Sequence, residues 1–343
     1  MQLLRLFSFA ILAVATMFPQ TGKAARKDAD KNGKVIVAYV TSWSKITPDQ
    51  QYMTHINYAF GAVSETFNSV TIANEQRLSD IAAIGRQIPK LKVLLSIGGW
   101  GSGRFSEMAA NATLRKAFAK DCRRVVDQYK LDGIDIDWEY PTSNAAAISA
   151  SPDDTNNFTL LMQDIRKAIG KKKLLTLATV ASGEYIDFKA ILPYIDFVNI
   201  MSYDMGGAPK HHAALYESPN TGRLTADAAV KAHLKAGVPA DKLVLGMPFY
   251  GRGGSGYPNF QDYKKICKDK NYTECWDSQA QVPYLADKDG KLVCGYDNPR
   301  SLAIKCRYVW EQGLHGAMYW DYDGDNDQND LRRAVYEGIM KTK

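Results

Sequence analysis

The chain has 343 residues, of which 45% are hydrophobic and 23% charged, with 26 Gly and 13 Pro. These proportions belong to a soluble globular protein with a large core and exclude disordered, collagen-like and disulfide-stapled mini-protein classes. The 43 Lys and Arg against 37 Asp and Glu leave a net charge of +6. That balance is too mild and too scattered to argue for a nucleic-acid groove.

From the N-terminus, Arg5 precedes an apolar-rich run at residues 6–18, followed by Pro19 and a small-residue stretch with Lys23, Ala24 and Ala25. This is the order of a signal peptide, so residues 1–25 are expected to be cleaved and the protein to be secreted or periplasmic. The run is too short to span a bilayer and no second one follows, so no membrane anchor is expected. Residues 26–343 then carry eight short β-branched or apolar runs, at 35–40, 55–60, 93–97, 133–139, 174–180, 197–203, 243–250 and 316–320. Helical periodicity fills most of the gaps, as at 75–87, 112–129, 156–169, 225–236 and 301–311. Apolar strands alternating with helices predict a parallel sheet covered on both faces, and eight such units fit a single (β/α)8 TIM barrel better than an open sheet. The interval between strands 7 and 8 is longer. Residues 253–298 are rich in Gly, aromatic and turn-forming residues, with Asp289-Gly290 between two strand-like runs, which predicts a small loop and hairpin insertion.

Five cysteines are present, Cys122, Cys267, Cys275, Cys294 and Cys306. In an oxidising compartment one or two disulfides are expected among the last four, with the pairing left open. Paired C-x2-C knuckles are absent, so no zinc site is expected. Cys122 falls in a helical stretch and reads as a small core residue.

The strongest chemical signal is the run from Asp132 to Glu139, Asp-Gly-Ile-Asp-Ile-Asp-Trp-Glu. On a strand, Asp135, Asp137 and Glu139 share one face while Ile134, Ile136 and Trp138 share the other. Alternate residues lie roughly 6.5 Å apart along a strand, so the three carboxylates resist simultaneous ionisation and at least one keeps a proton near neutral pH. A protonated carboxyl beside an ionised one suits general acid catalysis. The apolar opposite face places the strand inside the fold, where unpaired acids are costly without a function.

The run has the D-x-x-D-x-D-x-E form of family 18 glycoside hydrolases, the chitinase family, and other motifs agree. Ser96-Ile97-Gly98-Gly99-Trp100 on the third strand resembles that family's S-x-G-G signature. Met201-Ser202-Tyr203-Asp204 on the sixth resembles its M-x-Y-D, and Trp320 ends the eighth strand where the family keeps a Trp. The resemblance implies roles. Glu139 is the general acid and then the base. The substrate's own acetamide oxygen attacks in place of an enzyme nucleophile. Asp137 holds the acetamide N–H, Asp135 shares a proton with Asp137, Asp132 supports the strand end, and Tyr203 donates to the acetamide carbonyl. Trp320 forms the sugar floor, with Met201 beside it and Asp204 on a sugar hydroxyl. Tyr39, Phe60, Ser96, Gly99, Trp100, Tyr140, Tyr250 and Arg252, at or just beyond strand ends, are expected to belong to the substrate site.

Other patterns carry less. Gly251, Gly253 and Gly256 fit G-x-G-x-x-G but lead into Tyr257-Pro258-Asn259, not a helix, and read as a flexible loop. Asp321, Asp323, Asp325 and Asp327 lack the Gly and Glu placement of a calcium loop. His211-His212, in the loop after the sixth strand, could line the cleft but reads first as a surface loop; Lys171 to Lys173 reads as a solvated turn, and Asn111, Asn157 and Asn271 begin N-x-T sequons. The expectation is a monomeric, cofactor-free and metal-free retaining chitinase. Its partners are chitin or N-acetylglucosamine oligosaccharides, with no nucleic acid. An endo-β-N-acetylglucosaminidase acting on N-glycan cores and a non-catalytic chitin-binding lectin are the alternatives, the retained Glu139 weighing against the lectin.

Overall fold

The computed structural model describes residues 33–254 and 256–341; the expected signal peptide lies outside the described residues. Eight strands form the centre: β1 (Val35–Thr41), β2 (His55–Val63), β3 (Lys92–Gly98), β4 (Gly133–Asp137), β5 (Leu174–Val180), β6 (Val198–Met201), β7 (Leu243–Pro248) and β8 (Gly316–Trp320). Each runs parallel to its neighbours, and pairing of β1 with both β2 and β8 closes the barrel. This is the expected (β/α)8 architecture.

Helices Glu75–Gln87, Ala112–Tyr129, Asp154–Ile169, Ala226–Lys235 and Pro299–Glu311 lie where the periodicity placed them. Their starts are fixed by side-chain caps. Asn111 accepts from the amides of Thr113 and Leu114, Thr225 from Ala228, and Asn298 forms a reciprocal capping box with Ser301. One apolar stripe of each helix packs on the outward face of the barrel. There Ile134 and Ile136 are fully buried, and the Trp138 ring stacks on Phe105 at 5.3 Å and meets Phe158 edge-on.

The insertion between β7 and β8 is larger than the expected hairpin. Val282–Ala286 and Leu292–Gly295 do pair antiparallel around Asp289-Gly290, but they belong to a five-stranded sheet with Tyr250–Gly253, Gln261–Asp262 and Thr273–Asp277. The predicted seventh strand therefore splits. β7 stops at Pro248, and Tyr250–Gly253 turns away to pair with Leu292–Gly295. The glycine-rich loop after it is thus partly strand.

The expected disulfides are not formed, and all five cysteines are free. Cys294 lies buried against Gly251, and Cys306 is buried against Gly338 and the Val335 carbonyl. Packing, not cross-linking, holds the last quarter of the chain. Lys173 is likewise more than a solvated turn residue, because its ammonium donates to the Leu131 carbonyl. Among the described residues no helix is long and apolar enough to cross a membrane.

Candidate active site

Strand β4 ends at Asp137, two residues earlier than expected, and Glu139 stands on the turn just beyond it. The alternation survives. Asp135 and Asp137 project into the barrel, Asp135 with no solvent exposure and Asp137 with 4%. Asp132 faces the other end of the strand, where Oδ2 accepts from the Val93 amide at 2.9 Å and Oδ1 from Lys92 Nζ at 3.2 Å.

Register brings Ser96 of β3 opposite Asp135, and Asp135 opposite Thr176 of β5. Asp135 accepts from the Tyr39 hydroxyl (2.9 Å), Ser96 Oγ (2.8 Å), Thr176 Oγ1 (2.5 Å) and Asn199 Nδ2 (3.2 Å). Burial raises its pKa, and these neutral donors oppose the rise. Asp137 has no such relief: its Oδ1 is buried with no partner. Its pKa stands well above the ordinary value through burial first, then the charges of Glu139 and Asp135. For Glu139, burial leads and the Asp204 charge adds, against a hydrogen bond from Tyr140, and the pKa reaches about 7. All three carboxyls are raised by burial, Asp135 against the pull of four neutral donors and Asp137 without any.

The two glycines of Ser96-Ile97-Gly98-Gly99 serve the carboxylates. Gly98 (φ +130°) presses so closely on the Asp137 carbonyl that a Cβ would sit 1.9 Å from its oxygen. The Gly99 amide donates to that oxygen at 2.9 Å, and the Phe60 ring covers the spot where a Gly99 Cβ would stand. Ser96 and Gly99 therefore lie beneath the cavity and not on its surface.

At the C-terminal ends of the strands a cavity of about 470 Å³ opens over Asp137 and Glu139. Tyr39, Phe60, Trp100, Tyr140, Met201, Tyr203, Asp204, Tyr250, Arg252 and Trp320 all line it. Trp320 stacks on Phe60 (5.5 Å, 21°) and tilts against Tyr39. On another side Trp100, 64% exposed, meets Tyr140 edge-on, and Tyr140 stacks on Tyr185. The Tyr203 hydroxyl reaches only the Met318 sulfur, at 3.9 Å. Asp204 is already engaged: Arg252 grips both its oxygens (2.6 and 2.5 Å) and the Tyr250 hydroxyl donates at 2.8 Å. Burial opposes, but the Arg252 and His212 contacts hold its carboxyl well below the usual range.

Sequence reasoning missed several residues. Phe260, from the insertion, stacks on Tyr250 at 4.5 Å and lines the cavity with Met205 and Leu224. Nothing in linear spacing aims the insertion at the barrel mouth. Thr176 and Asn199 were overlooked although a polar residue amid apolar strand neighbours was visible. His211 and His212 are not a surface loop but 2% and 0% exposed, drawn inward by Asp277 and Asp204. Among the described residues no group of three or more His, Cys, Asp or Glu is arranged to hold a metal ion.

Residues 35–325 match the family model Glycosyl hydrolases family 18. Chitinase A1 of Niallia circulans is 37% identical over 302 residues, 73% of this chain, which spans 43% of that relative's length. Chitotriosidase-1 of Mus musculus is 30% identical, with 85% of this chain and 73% of that protein covered. A solved structure described as a family 18 N-acetylglucosaminidase from Paenibacillus barengoltzii superposes with a TM-score of 0.82 at 35% identity. It covers 89% of this chain and 99% of that one. The family match over most of the chain and the shared barrel rest on the same strands that carry the carboxylate, glycine and tyrosine motifs, and the chain belongs to the glycosyl hydrolases of family 18.

Proposed function

We propose that the protein is a chitinase that hydrolyses β-1,4 links beside N-acetylglucosamine with retention, using the substrate's acetamide as nucleophile. One observation carries the reading. Beside the raised acid Glu139, the cavity presents a buried Asp137 oxygen without a partner and a Tyr203 hydroxyl with only a weak sulfur contact. A buried acceptor and a nearly buried donor without strong partners match a donor and an acceptor on the ligand, and an acetamide N–H and C=O supply both.

In this scheme Glu139, protonated below about pH 7, gives its proton to the glycosidic oxygen as the C1–O bond breaks. The acetamide oxygen bonds to C1, its geometry set by Asp137 and Tyr203, and positive charge spreads over the oxazolinium ring beside the Asp137 carboxyl. Water then attacks C1 as the bond from C1 to the acetamide oxygen breaks and the acetamide is regenerated; the water loses its proton to Glu139, which restores the acid. Trp320, Phe60 and Tyr39 offer the sugar an apolar floor. Support for the substrate class comes from relatives named as chitinases. The N-acetylglucosaminidase likeness favours, as a second reading, release of single N-acetylglucosamine units by the same chemistry. The leader pattern at residues 1–25 supports export, with residues 26–343 as the catalytic domain.

The test is proton NMR of the first products from chitin hexasaccharide, beside fully deacetylated hexasaccharide. The expected result is β-anomeric product from the first and no cleavage of the second. First-formed α-anomer, or equal cleavage of both, would discard the acetamide mechanism.

A further inference from the structure

Two adjacent buried imidazoles connect the cleft wall to the insertion. His212 Nδ1 lies 3.4 Å from both the Asp204 amide nitrogen and its Oδ1, and the ring packs on Tyr250 at 5.2 Å. His211 faces the opposite way: its Nε2 lies 3.2 Å from Asp277 Oδ2, and its ring meets Tyr284. Asp277, the last residue of strand Thr273–Asp277, draws more of the same loop onto itself. Its Oδ2 also accepts from Ser218 Oγ (2.8 Å) and Asn220 Nδ2 (3.3 Å), and its Oδ1 from the Gln279 and Ala280 amides. Behind the histidines, Lys305 donates to the Ala213 carbonyl at 2.6 Å while paired with buried Asp297, and Gly295 packs against His211 where a Cβ would stand 3.2 Å from its Cα. Asp277 and Asp204 are thus joined through two adjacent buried side chains of one loop.

We propose that Asp277, acting through His211 and His212, is a positioning residue that holds the Asp204, Tyr250 and Arg252 wall of the cleft in the geometry that grips the sugar. The inference rests on the chitinase reading and extends it: the insertion acts on substrate binding through a second route besides carrying Tyr250 and Arg252. Glu139 and Asp137 stand on β4 and the turn after it, while Tyr203 adjoins Asp204 and packs on Tyr250 at 6.1 Å, so binding should suffer more than chemistry.

The test is a double-mutant cycle on chitin hexasaccharide hydrolysis with wild type, Asp277→Ala, Asp204→Asn and the double variant. Asp277→Ala is expected to raise KM ~10-fold with a smaller fall in kcat, and the double variant to bind no worse than Asp204→Asn alone. Unchanged KM in Asp277→Ala, or KM effects that multiply in the double variant, overturns the relay. Should Asp277→Ala not fold, His211→Leu takes its place in the cycle under the same criteria. His211→Gln, whose amide reaches Asp277, is expected to restore KM, and failure to do so counts against the relay. Inactive wild type would instead overturn the chitinase reading, before any variant is compared.

Discussion

In the proposed mechanism the Glu139 carboxyl must carry a proton when the substrate arrives, and its surroundings favour this. Burial and the Asp204 charge lift its pKa from 4.5 to about 7. Glu139→Gln keeps the shape and removes the proton, so turnover is expected to fall at least ~100-fold with binding retained, read by steady-state kinetics and by oligosaccharide titration. The same shift sets pH dependence. With the protonated form as the active one in the proposed mechanism, kcat/KM is expected to fall as pH rises through about 7. Because the folded protein holds a proton that the unfolded chain releases near 4.5, this group's contribution to stability is fully present below that pH. It is lost as pH rises to about 7. A rate profile flat from pH 5 to ~9 would remove Glu139 from the acid role.

Among the elements, the odd and even strands of the barrel begin differently. Lys34, Lys92, Lys173 and Lys242 stand at the starts of β1, β3, β5 and β7, and each ammonium reaches across to the chain entering a neighbouring strand. Thr54, Asp132 and Asp196, just before β2, β4 and β6, accept from the amides of Ile36, Val93 and Leu175. This collar closes the barrel at the end opposite the cavity and explains why the first acid of the motif differs in role from the rest. Asp132→Ala strands the buried Val93 amide, so a loss of about 1–3 kcal/mol in denaturant unfolding is expected with kcat unchanged. A large fall in kcat at wild-type stability would place Asp132 in the chemistry instead. The collar was not read from the sequence because side-chain caps on strand starts leave no periodic trace. The carboxylate face was read because strand alternation survives two residues past the strand's end, carrying Glu139 with it.

For the molecule as a whole, the barrel was legible, and of the insertion only its hairpin around Asp289-Gly290. Apolar runs separated by helical stretches repeat in order, whereas the sheet around Tyr250 to Gly295 joins local hairpins to Tyr250–Gly253 through one short pairing between residues distant in sequence, Gly253 opposite Cys294. Hence Phe260 on the cavity wall and the inward turn of His211 and His212 escaped notice. The expected disulfides failed for a related reason, since cysteine counts carry no geometry. Burial raises the thiol pKa of Cys122 and Cys306 and pushes that of Cys294 up to about 12. Thiol titration is therefore expected to find these three unreactive in the folded protein, all five reactive after unfolding, and no effect of reductant on Tm. Fewer than five thiols in the unfolded, unreduced chain would reveal a bridge. The most direct measurement of what this molecule does is mass spectrometry of its products from chitin hexasaccharide and, separately, from a high-mannose glycoprotein. The account predicts short N-acetylglucosamine oligomers from the first and no released glycan from the second; glycan release with an intact hexasaccharide, or silence on both, would contradict it.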